Sequence, residues 1–498
     1  MIRKFDVTRR AARVAVVTGI STVIAIAIQL VSVPVCMSCW GKEKYGSWLT
    51  LLATFTMLRT LETGYVSYVG NRINLAYYRD RDELKRSLAS SVAGLCVIGC
   101  LQMLLCVVLV LTDWASNAPL ILLVPAWIFT GVYPSILHRL MIPAGMMYQA
   151  AWWGMGFQVC QFLAVMAAAV ANLSLFQATA IYVCVQAIVY LASAAYIRRV
   201  LPDYFPWWRG GDPVAGIRDL GRSLGLTGSS LLQQGSANGL VLMVSFLSGP
   251  AMVTILTTVR TLTNLWATLT GVLTTPLLPE VVRYHANREG AKVAALQEAH
   301  WAIVGTAVNL GILACYPLIA PAYALWTRSR VALDRPLLCF LLSSISIVSA
   351  GALMTLYLTG INHIRALLAS SFVRGVVSLA AGALLYRRFG FAGLGGAILL
   401  AEGIVLAVTY RYFFKAELID LGVRVRGDAL ASFSLGVCSV LVFLIAESVG
   451  SRLARVTYPL SIAGVVASGW IGWTRLDQDV KRQLYSAISG RFRPGIPS

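Results

Sequence analysis

Residues 40–72 read WGKEKYGSWLTLLATFTMLRTLETGYVSYVGNR, and the part between Trp48 and Val69 is long and apolar enough to cross a membrane as a helix. Arg59 lies eleven residues into this helix, which at ~1.5 Å per residue is roughly 16 Å deep, near the midplane. Glu62 follows about one turn later. A central arginine costs ~2.5–3.5 kcal/mol in lipid, so the sequence predicts that both charges face protein or a water-filled cavity.

The whole chain has the composition of a polytopic membrane protein. Its 498 residues are 58% hydrophobic and only 12% charged, whereas soluble domains have about 25% charged residues. The basic N-terminus leads into an apolar run over Val14–Val35. That run is longer than the core of a signal peptide, ~7–15 residues, so we interpret it as the first membrane helix.

Apolar windows predict fourteen membrane-spanning helices, and therefore an all-α polytopic fold. The spans are Val14–Val35, Tyr45–Val69, Ser87–Leu111, Pro119–Leu140, Trp152–Ala171, Leu175–Ile197, Leu224–Leu247, Ala251–Leu277, Trp301–Leu325, Pro336–Leu358, Ala366–Tyr386, Ala392–Phe413, Ala429–Ile445 and Val456–Trp473.

An internal repeat divides these spans into two six-helix lobes with two extra helices. The segment CWGKEKYGSWLTLLATFTML resembles FLSGPAMVTILTTVRTLTNL, with Gly41 matching Gly249, and Gly145 matches Gly360 in a second pair of segments. Such parallel repeats are common in transporters, where the substrate site lies between the halves. The predicted domains are an N-terminal lobe 1–197, a cytoplasmic link 198–222, a C-terminal lobe 223–415, two further helices over 416–473, and a cytoplasmic tail 474–498.

Basic residues are distributed asymmetrically over the predicted loops. Of 41 Lys and Arg residues, 29 fall in the loops and tails on the side of the N-terminus, 9 in the opposite loops, and three within spans. The positive-inside rule therefore predicts cytoplasmic N- and C-termini in a cell inner (plasma) membrane. The net charge of +20 is spread over many short loops, so it indicates contact with membrane lipids and not nucleic acid binding.

Polar side chains form stripes on the first two spans of each lobe. Thr56, Arg59, Glu62 and Thr63 share one helix face, as do Thr257, Arg260, Thr261, Asn264 and Thr268 in the eighth span. We predict a substrate-binding lumen lined by Gln29, Arg59, Glu62, Gln233, Gln234, Asn238, Arg260, Asn264, Arg374 and Glu402. Two alternatives stay open: Arg59 and Glu62 form an ion pair that locks helix packing, and the amides serve as interhelical hydrogen bonds.

A net positive lumen predicts an anionic cargo, because the planar guanidinium fork suits phosphate and carboxylate. The four histidines lie at or near predicted cytoplasmic loops, where solvated side chains are expected. Cys36 and Cys39 form a lone C-x-x-C without a second cysteine pair or a histidine cluster, so no metal site is predicted. The outer loops are about ten residues or shorter, which argues against a membrane enzyme with catalytic residues on an outer loop.

Several motifs resemble those of the polysaccharide transporter family, the Wzx-type flippases of lipid-linked oligosaccharides within the superfamily of multidrug and toxin extruders (MATE/MOP). They are WGKEKYGSW over 40–48, Glu62 with Gly64 where the family more often has an aspartate, and the charged loop YYRDRDELKRSL. In the second half, LSGPAMV and LLPEVVRY, with Pro250, Pro279 and Glu280, resemble the family's entry and exit segments.

The resemblance implies a V-shaped carrier that flips an oligosaccharide on undecaprenyl pyrophosphate by alternating access for O-antigen, capsule or exopolysaccharide synthesis. Its lumen is expected between spans one, two, seven and eight. The arginines would bind phosphates or acidic sugars, the amides would contact sugar hydroxyls, and Glu62 would orient an arginine or carry a coupling proton or sodium ion. A monomer without a cofactor, working beside polysaccharide polymerase machinery, is expected, and no bond is made or broken.

Three other functions compete with this interpretation. A multidrug extruder of the same superfamily would use carboxylates to bind cationic drugs and usually has twelve spans. A membrane glycan polymerase or ligase would need a large outer loop. A purely structural membrane protein would not need repeated polar stripes.

Overall fold

The computed structural model describes residues 4–77, 80–112, 118–361, 363–450, 452–476, 478 and 481. Eighteen α-helices, joined by short turns and by 3₁₀ or π segments, make up the described chain. Two compact units result, one of residues 1–258 with 325–331 and the other of residues 259–324 with 332–498. The predicted all-α membrane fold is confirmed.

The first unit contains nine complete helices and the start of a tenth. In chain order they are α1 (Lys4–Cys39), α2 (Gly41–Tyr77), α3 (Arg81–Leu111), α4 (Leu120–Thr130), α5 (Val132–Met141), α6 (Met147–Val170), α7 (Leu175–Val200), α8 (Pro213–Gln234), α9 (Leu240–Ser248) and α10 (Pro250–Thr274). A π-helical turn over Gly235–Gly239 joins α8 to α9.

The second unit takes up α10 from Val259 onward and holds most of the remaining chain. Its helices are α11 (Leu278–Ala286), α12 (Gly290–His300), α13 (Thr306–Trp326), α14 (Arg335–Gly360), α15 (Ile364–Val408), α16 (Lys415–Asp420), α17 (Gly427–Ser448) and α18 (Leu453–Arg475). Further π-helical turns lie at Trp301–Gly305 and Thr409–Phe414.

Every predicted span coincides with a helix, although fewer helices qualify as spans by length and hydropathy alone. In the part of the chain that the structure describes, eight do so, or ten when each of two bent helix pairs counts as one span. The predicted eleventh and twelfth spans are merged in one long helical stretch over residues 364–420, which bends at Gly390 with a φ of 58°. The second, seventh and fourteenth spans fall below the hydropathy criterion, and the first two of these carry polar residues of the predicted lumen.

Helix α2 lies at the centre of the first unit, where it packs against α1, α3, α4, α5, α8 and α9. It comes very close to α8 at Gly64. A Cβ atom at this position would lie 2.2 Å from the backbone nitrogen of Thr227. Because that distance is well inside van der Waals contact, only glycine permits this packing of α2 on α8, and Gly64 fixes how close the two helices come.

Polar contacts within the first unit hold both ends of α2, the C-terminal end against α8 and the N-terminal end against α10. At its C-terminal end, Arg72 forms an ion pair with Asp219, whose side chain is only 6% exposed. At its N-terminal end, Thr254 donates from Oγ1 to the carbonyl of Lys42 at 2.8 Å. Along the same side of α2, the Thr50 hydroxyl donates a hydrogen bond to the hydroxyl of Ser245 on α9 at 3.1 Å. The predicted seventh span therefore packs along the predicted second span within one unit.

The predicted cytoplasmic link, residues 198–222, is folded onto the first unit. It contains the 3₁₀ turn Pro202–Tyr204 and the start of α8. Trp207 is buried in an apolar cluster with Leu137, Met141 and Ile197. The link thus holds α8 at a fixed place against the helices that precede it. The predicted domain boundaries themselves stay a prediction.

Gly41 and Gly249, the glycines matched by the internal repeat, share one backbone conformation. Their φ angles are +74° and +84°, in the left-handed region that favours glycine. Each lies directly before or at the start of a long helix, α2 or α10. The two sequence segments therefore begin the corresponding helices with the same turn.

The core of the second unit forms around aromatic side chains of α14 and its neighbours. Tyr357 is fully buried and bonds to His285 Nδ1 at 2.8 Å. Trp301 donates to the carbonyl of Ala350 at 3.0 Å and stacks on Phe433 at 5.3 Å between ring centroids. These contacts join the π-helical turn at Trp301 to α14 and α17.

Candidate functional site

The two charges of α2 meet at one tryptophan inside the first unit. Trp127 of α4 is 2% exposed, and its indole Nε1–H donates to both oxygens of Glu62, at 3.0 and 2.9 Å. The guanidinium carbon of Arg59 lies 3.5 Å from the centroid of the same ring. Trp127 therefore binds the anion with its edge and the cation with its face.

This arrangement strengthens both contacts. A hydrogen bond from the indole to a carboxylate draws negative charge toward the ring, whose face then attracts a cation more strongly. Glu62 is 4% exposed, and the amide of Gln102 lies 3.5 Å from its Oε2 atom. The same amide donates to the carbonyl of Leu58 at 3.0 Å. Glu62 is thus held by neighbours on α3 and α4.

The polar stripe predicted on α2 is divided by the packing. Glu62 points into the first unit, toward α3 and α4, whereas Thr63 is exposed and Arg59 is partly buried. Trp127 is a third partner beside the two charges, and both the predicted lumen role of Arg59 and Glu62 and the alternative packing ion pair stay predictions. The two charges interact through space, with the Trp127 side chain contacting both.

Several buried polar atoms on α2, α3, α6 and α7 have no hydrogen-bond partner. They are Arg59 Nε, Gln102 Oε1, Gln161 Nε2 and both side-chain polar atoms of Gln186. Gln186 is fully buried on α7, midway between Tyr182 and Tyr190 at helical i, i+4 spacing. An unsatisfied buried donor or acceptor costs about 1–3 kcal/mol, so such a group of atoms is typical of a hydrated or ligand-binding interior.

A cavity of about 350 Å³ lies next to these atoms, among α1, α2, α6 and α7 of the first unit. Its polar lining includes Gln29, Gln158, Gln161 and Tyr182, and Trp48 forms part of its wall. Leu52 of α2 also lines the cavity, and Arg59 lies two turns further along the same face of that helix, roughly 10 Å away. We call the cavity together with the Arg59 cluster (Arg59, Glu62, Gln102 and Trp127) the first-unit site.

The other amides predicted for the lumen lie around the π-helical turn between α8 and α9. Asn238 donates from Nδ2 to Oε1 of Gln234 at 2.7 Å, and Gln233 is exposed. A π-helical turn inserts one residue into the helical ladder and is often found at functional sites. Gln29, by contrast, lines the first-unit cavity.

In the second unit, the predicted residues separate into two groups. On α10, Arg260 is partly buried and Asn264 is exposed. On α15, Arg374 forms a two-point ion pair with Glu402, with Nε–Oε1 and Nη2–Oε2 distances of 2.7 and 2.9 Å. The pair links the arms of α15 on either side of Gly390. Arg374 is therefore already bonded, whereas Asn264 is open to an approaching molecule.

Residues missed by sequence reasoning complete the first-unit site. Trp127 and Gln102 hold Glu62, and Tyr182, Gln186 and Tyr190 form a stripe on α7. The i, i+4 spacing of that stripe was a signal in the sequence, as was the Gln158–Gln161 pair on α6. Trp127 gave no such signal, because a tryptophan in an apolar span is typical of core packing.

The histidines differ from the expectation of solvated side chains. His300 is 2% exposed, and its Nε2 lies 3.0 Å from the hydroxyl of Thr274. His138 is partly buried, with Nε2 3.1 Å from the hydroxyl of Ser193. Within the described parts of the chain, no three His, Cys, Asp or Glu side chains lie close enough together to hold a metal ion.

Comparisons with known proteins give likenesses at the level of the fold. No family model and no curated protein matches the sequence. An inward-facing multidrug resistance MATE family transporter of the MOP superfamily is 13% identical with a TM-score of 0.63, covering 80% of this chain and 95% of its own. The lipid II flippase MurJ, in an inward closed conformation, is 10% identical with a TM-score of 0.63, covering 94% and 99%.

A third structure, a MATE protein in a bent conformation, is 12% identical with a TM-score of 0.55, and the match covers 83% of this chain and 96% of the MATE chain. At these identities the likeness concerns backbone architecture and not the residues of a site. The chain is a multi-pass membrane protein with the fold that MATE transporters and the MurJ flippase share.

Proposed function

We propose that the protein is a flippase that moves a lipid-linked oligosaccharide, carried on undecaprenyl pyrophosphate, across the inner membrane by alternating access. The observation that carries this proposal is the Arg59 side chain in the first-unit site. It stacks on Trp127, keeps Nε unpartnered, and lies two turns along α2 from Leu52, which lines a cavity that also has amide side chains in its wall. A partly buried guanidinium with an unused donor suits a phosphate oxygen.

The charges of the first-unit site favour an anionic cargo over a cationic drug. Glu62, the carboxylate of the Arg59 cluster, already accepts hydrogen bonds from Trp127. Its charge is also offset by Arg59, which interacts with it through space. A cationic drug would have to displace these neighbours and would meet the positive charge of Arg59.

The extent of the structural likeness also supports a flippase. The MurJ flippase structure covers 94% of this chain, whereas the MATE structures above cover 80% and 83%. A carrier for a lipid-linked cargo must hold a polar headgroup inside while the lipid tail stays in the bilayer. We propose that the helices beyond the twelve-helix repeat serve such a cargo, with both chain termini in the cytoplasm.

A multidrug extruder is the second candidate. The structural likeness to MATE transporters is as consistent with this function as with a flippase. Glu62 is the residue that such a function would use, as a carboxylate that exchanges a proton or sodium ion for a drug. In the flippase, the same residue orients Arg59 through Trp127 or carries a coupling ion. A transport measurement separates the two functions.

Arg59→Ala tests the proposal. The protein is placed in proteoliposomes with a labelled undecaprenyl-pyrophosphate oligosaccharide, and a membrane-impermeant glycosidase measures how fast the lipid crosses. Loss of one charge-assisted hydrogen bond, about 1.5–3 kcal/mol, predicts a roughly 10- to 100-fold slower rate. Arg198→Ala is the matched control, because Arg198 is an exposed arginine in the last turn of α7; its rate should not change.

An unchanged rate in Arg59→Ala would count against the proposal. Efflux of a cationic dye that needs Glu62, together with no lipid crossing in the unmodified protein, would favour the extruder.

A further inference from the structure

We infer that the first-unit cavity is a subsite for the sugar that directly follows the pyrophosphate of the cargo, an uncharged ring bearing hydroxyl or acylamino groups. This inference rests on the proposed function and deepens it, because it assigns a place and a contact set to one part of the substrate. The contacts are the side chains of Gln158, Gln161, Gln29 and Tyr182, with Trp48 as an aromatic wall.

The chemistry of the lining selects a neutral polar ligand. The residues that line the cavity carry amide, hydroxyl, thiol, aromatic and aliphatic groups, and none of them is acidic or basic. A cation would require a carboxylate there and an anion would require an arginine or lysine. Amide side chains both donate and accept, as sugar hydroxyls do, so three glutamines match a ring with hydroxyl groups in several directions.

Unpartnered buried atoms indicate that the cavity is completed by another molecule. Gln161 lines the cavity with its Nε2 buried and unpartnered. Native proteins leave few buried polar groups without a partner. A sugar hydroxyl in the cavity would accept a hydrogen bond from this Nε2 atom.

The position of the cavity identifies which sugar it would hold. Leu52 of α2 lines the cavity, and Arg59, the proposed phosphate contact, lies two turns further along the same face of that helix, roughly 10 Å away. In the cargo, the sugar bonded to the pyrophosphate is the ring nearest the phosphates, so it is the ring expected to lie in the cavity when Arg59 binds a phosphate. A volume of about 350 Å³ is at the small end of the range for ligand cavities, ~300–1,000 Å³, so it suits one or two rings and not a whole oligosaccharide.

Binding measurements on the full-length protein in lipid nanodiscs test this subsite. Native mass spectrometry compares undecaprenyl pyrophosphate alone with the same carrier bearing one hexose or one N-acetylhexosamine. We expect at least one sugar-bearing carrier to bind about tenfold more tightly than the bare carrier. Gln161→Leu should reduce that preference to threefold or less while leaving the affinity for the bare carrier unchanged.

Two further variants keep the test decisive. Gln158→Leu changes an exposed lining residue, so it should fold even if Gln161→Leu does not, and it should also reduce the preference. Gln149→Leu is the matched control, because Gln149 is on the same helix, α6, and is not among the lining residues. It should bind both carriers as the unmodified protein does.

The possible results separate the subsite from the proposed function. Equal binding of bare and sugar-bearing carriers would overturn the subsite and leave the flippase proposal standing. Failure to bind any undecaprenyl carrier would overturn both. A free methyl glycoside that binds as tightly as the carrier would support the sugar subsite but contradict a lipid-linked cargo.

Discussion

Trp127 contacts both charged side chains of α2 that lie at membrane depth, Arg59 and Glu62. A buried carboxylate and a nearby arginine would attract each other directly if nothing lay between them. The indole ring, which is 2% exposed, instead binds Glu62 at its Nε1–H and Arg59 at its face. The arrangement orients the Arg59 side chain while leaving its Nε for another partner.

Replacing Trp127 with phenylalanine should destabilise the protein and disorder Arg59. The change keeps an aromatic face but removes the donor to a buried carboxylate, a loss of about 1.5–3 kcal/mol. We expect a lower unfolding temperature in detergent, measured by fluorescence, and slower lipid crossing. Adding Glu62→Gln should then cost less than Glu62→Gln does alone, because the two residues act as a unit.

Trp152→Phe is the control for this cycle, because Trp152 is 42% exposed on α6. It should leave the unfolding temperature unchanged. Strictly additive effects of Trp127→Phe and Glu62→Gln would show that the indole does not hold the carboxylate.

At the scale of single residues, the sequence predicted the charges and missed their partners. Arg59 and Glu62 were found because a charge in an apolar window is costly and therefore conspicuous. Trp127 and Gln102 are less conspicuous, since indole and amide groups are tolerated in membrane helices. Their role depends on which helices become neighbours of α2, and hydropathy does not determine that.

Among the elements, the contact between α2 and α8 leaves no room for a side chain at Gly64. A Cβ atom at Gly64 would lie 2.2 Å from Thr227 N and 2.4 Å from its Cα atom. Both are backbone atoms of α8, so no side-chain rotation relieves the overlap. The helices would have to move apart, and the Arg72–Asp219 ion pair lies along the same interface.

Gly64→Ala should therefore lower stability and impair transport, although alanine favours helix formation by ~1 kcal/mol over glycine. Unfolding temperature and lipid-crossing rate are the measurements. Gly154→Ala is the matched control, because Gly154 lies inside α6 with no atom within 4 Å of an added Cβ. It should be neutral or slightly stabilising. If Gly64→Ala behaves like Gly154→Ala, the close packing of α2 on α8 is wrong.

Hydropathy predicted where helices occur but not where they break. The predicted fourth span is two helices, α4 and α5, that meet at Gly131 with a bend of 43°. The eleventh and twelfth spans are merged at Gly390, and π-helical turns lie within the seventh predicted span, at the start of the ninth and at the end of the twelfth. Bends of this kind result from the packing of neighbouring helices, so a window average over one segment does not contain them.

At the scale of the molecule, the sequence established the fold class and left the substrate undetermined. Apolar windows and the internal repeat suffice for an all-helical membrane fold, because the bilayer allows few alternatives. The cargo depends on a few polar side chains, and folds of this kind serve different substrates, as the MATE and MurJ likenesses show. Function must therefore be tested at the polar surfaces of each unit.

Alternating access requires that a polar surface of α10 be wetted in at least one state. Asn264 is exposed in the second unit, and an asparagine directed at lipid would be costly. We therefore expect Asn264→Cys to react with a membrane-impermeant maleimide, since a thiol in hydrocarbon does not ionise and stays inert. Bound undecaprenyl-pyrophosphate oligosaccharide should slow the labelling.

The chain has ten native cysteines, so labelling must be compared with the unmodified protein. Val259→Cys is the matched control, because Val259 is on the same helix and 0% exposed. Labelling of Asn264→Cys but not Val259→Cys would place water beside α10 and support a carrier. If both thiols are equally inert, the polar stripe of α10 faces a dry packing interface, and transport would have to depend on the first-unit site alone.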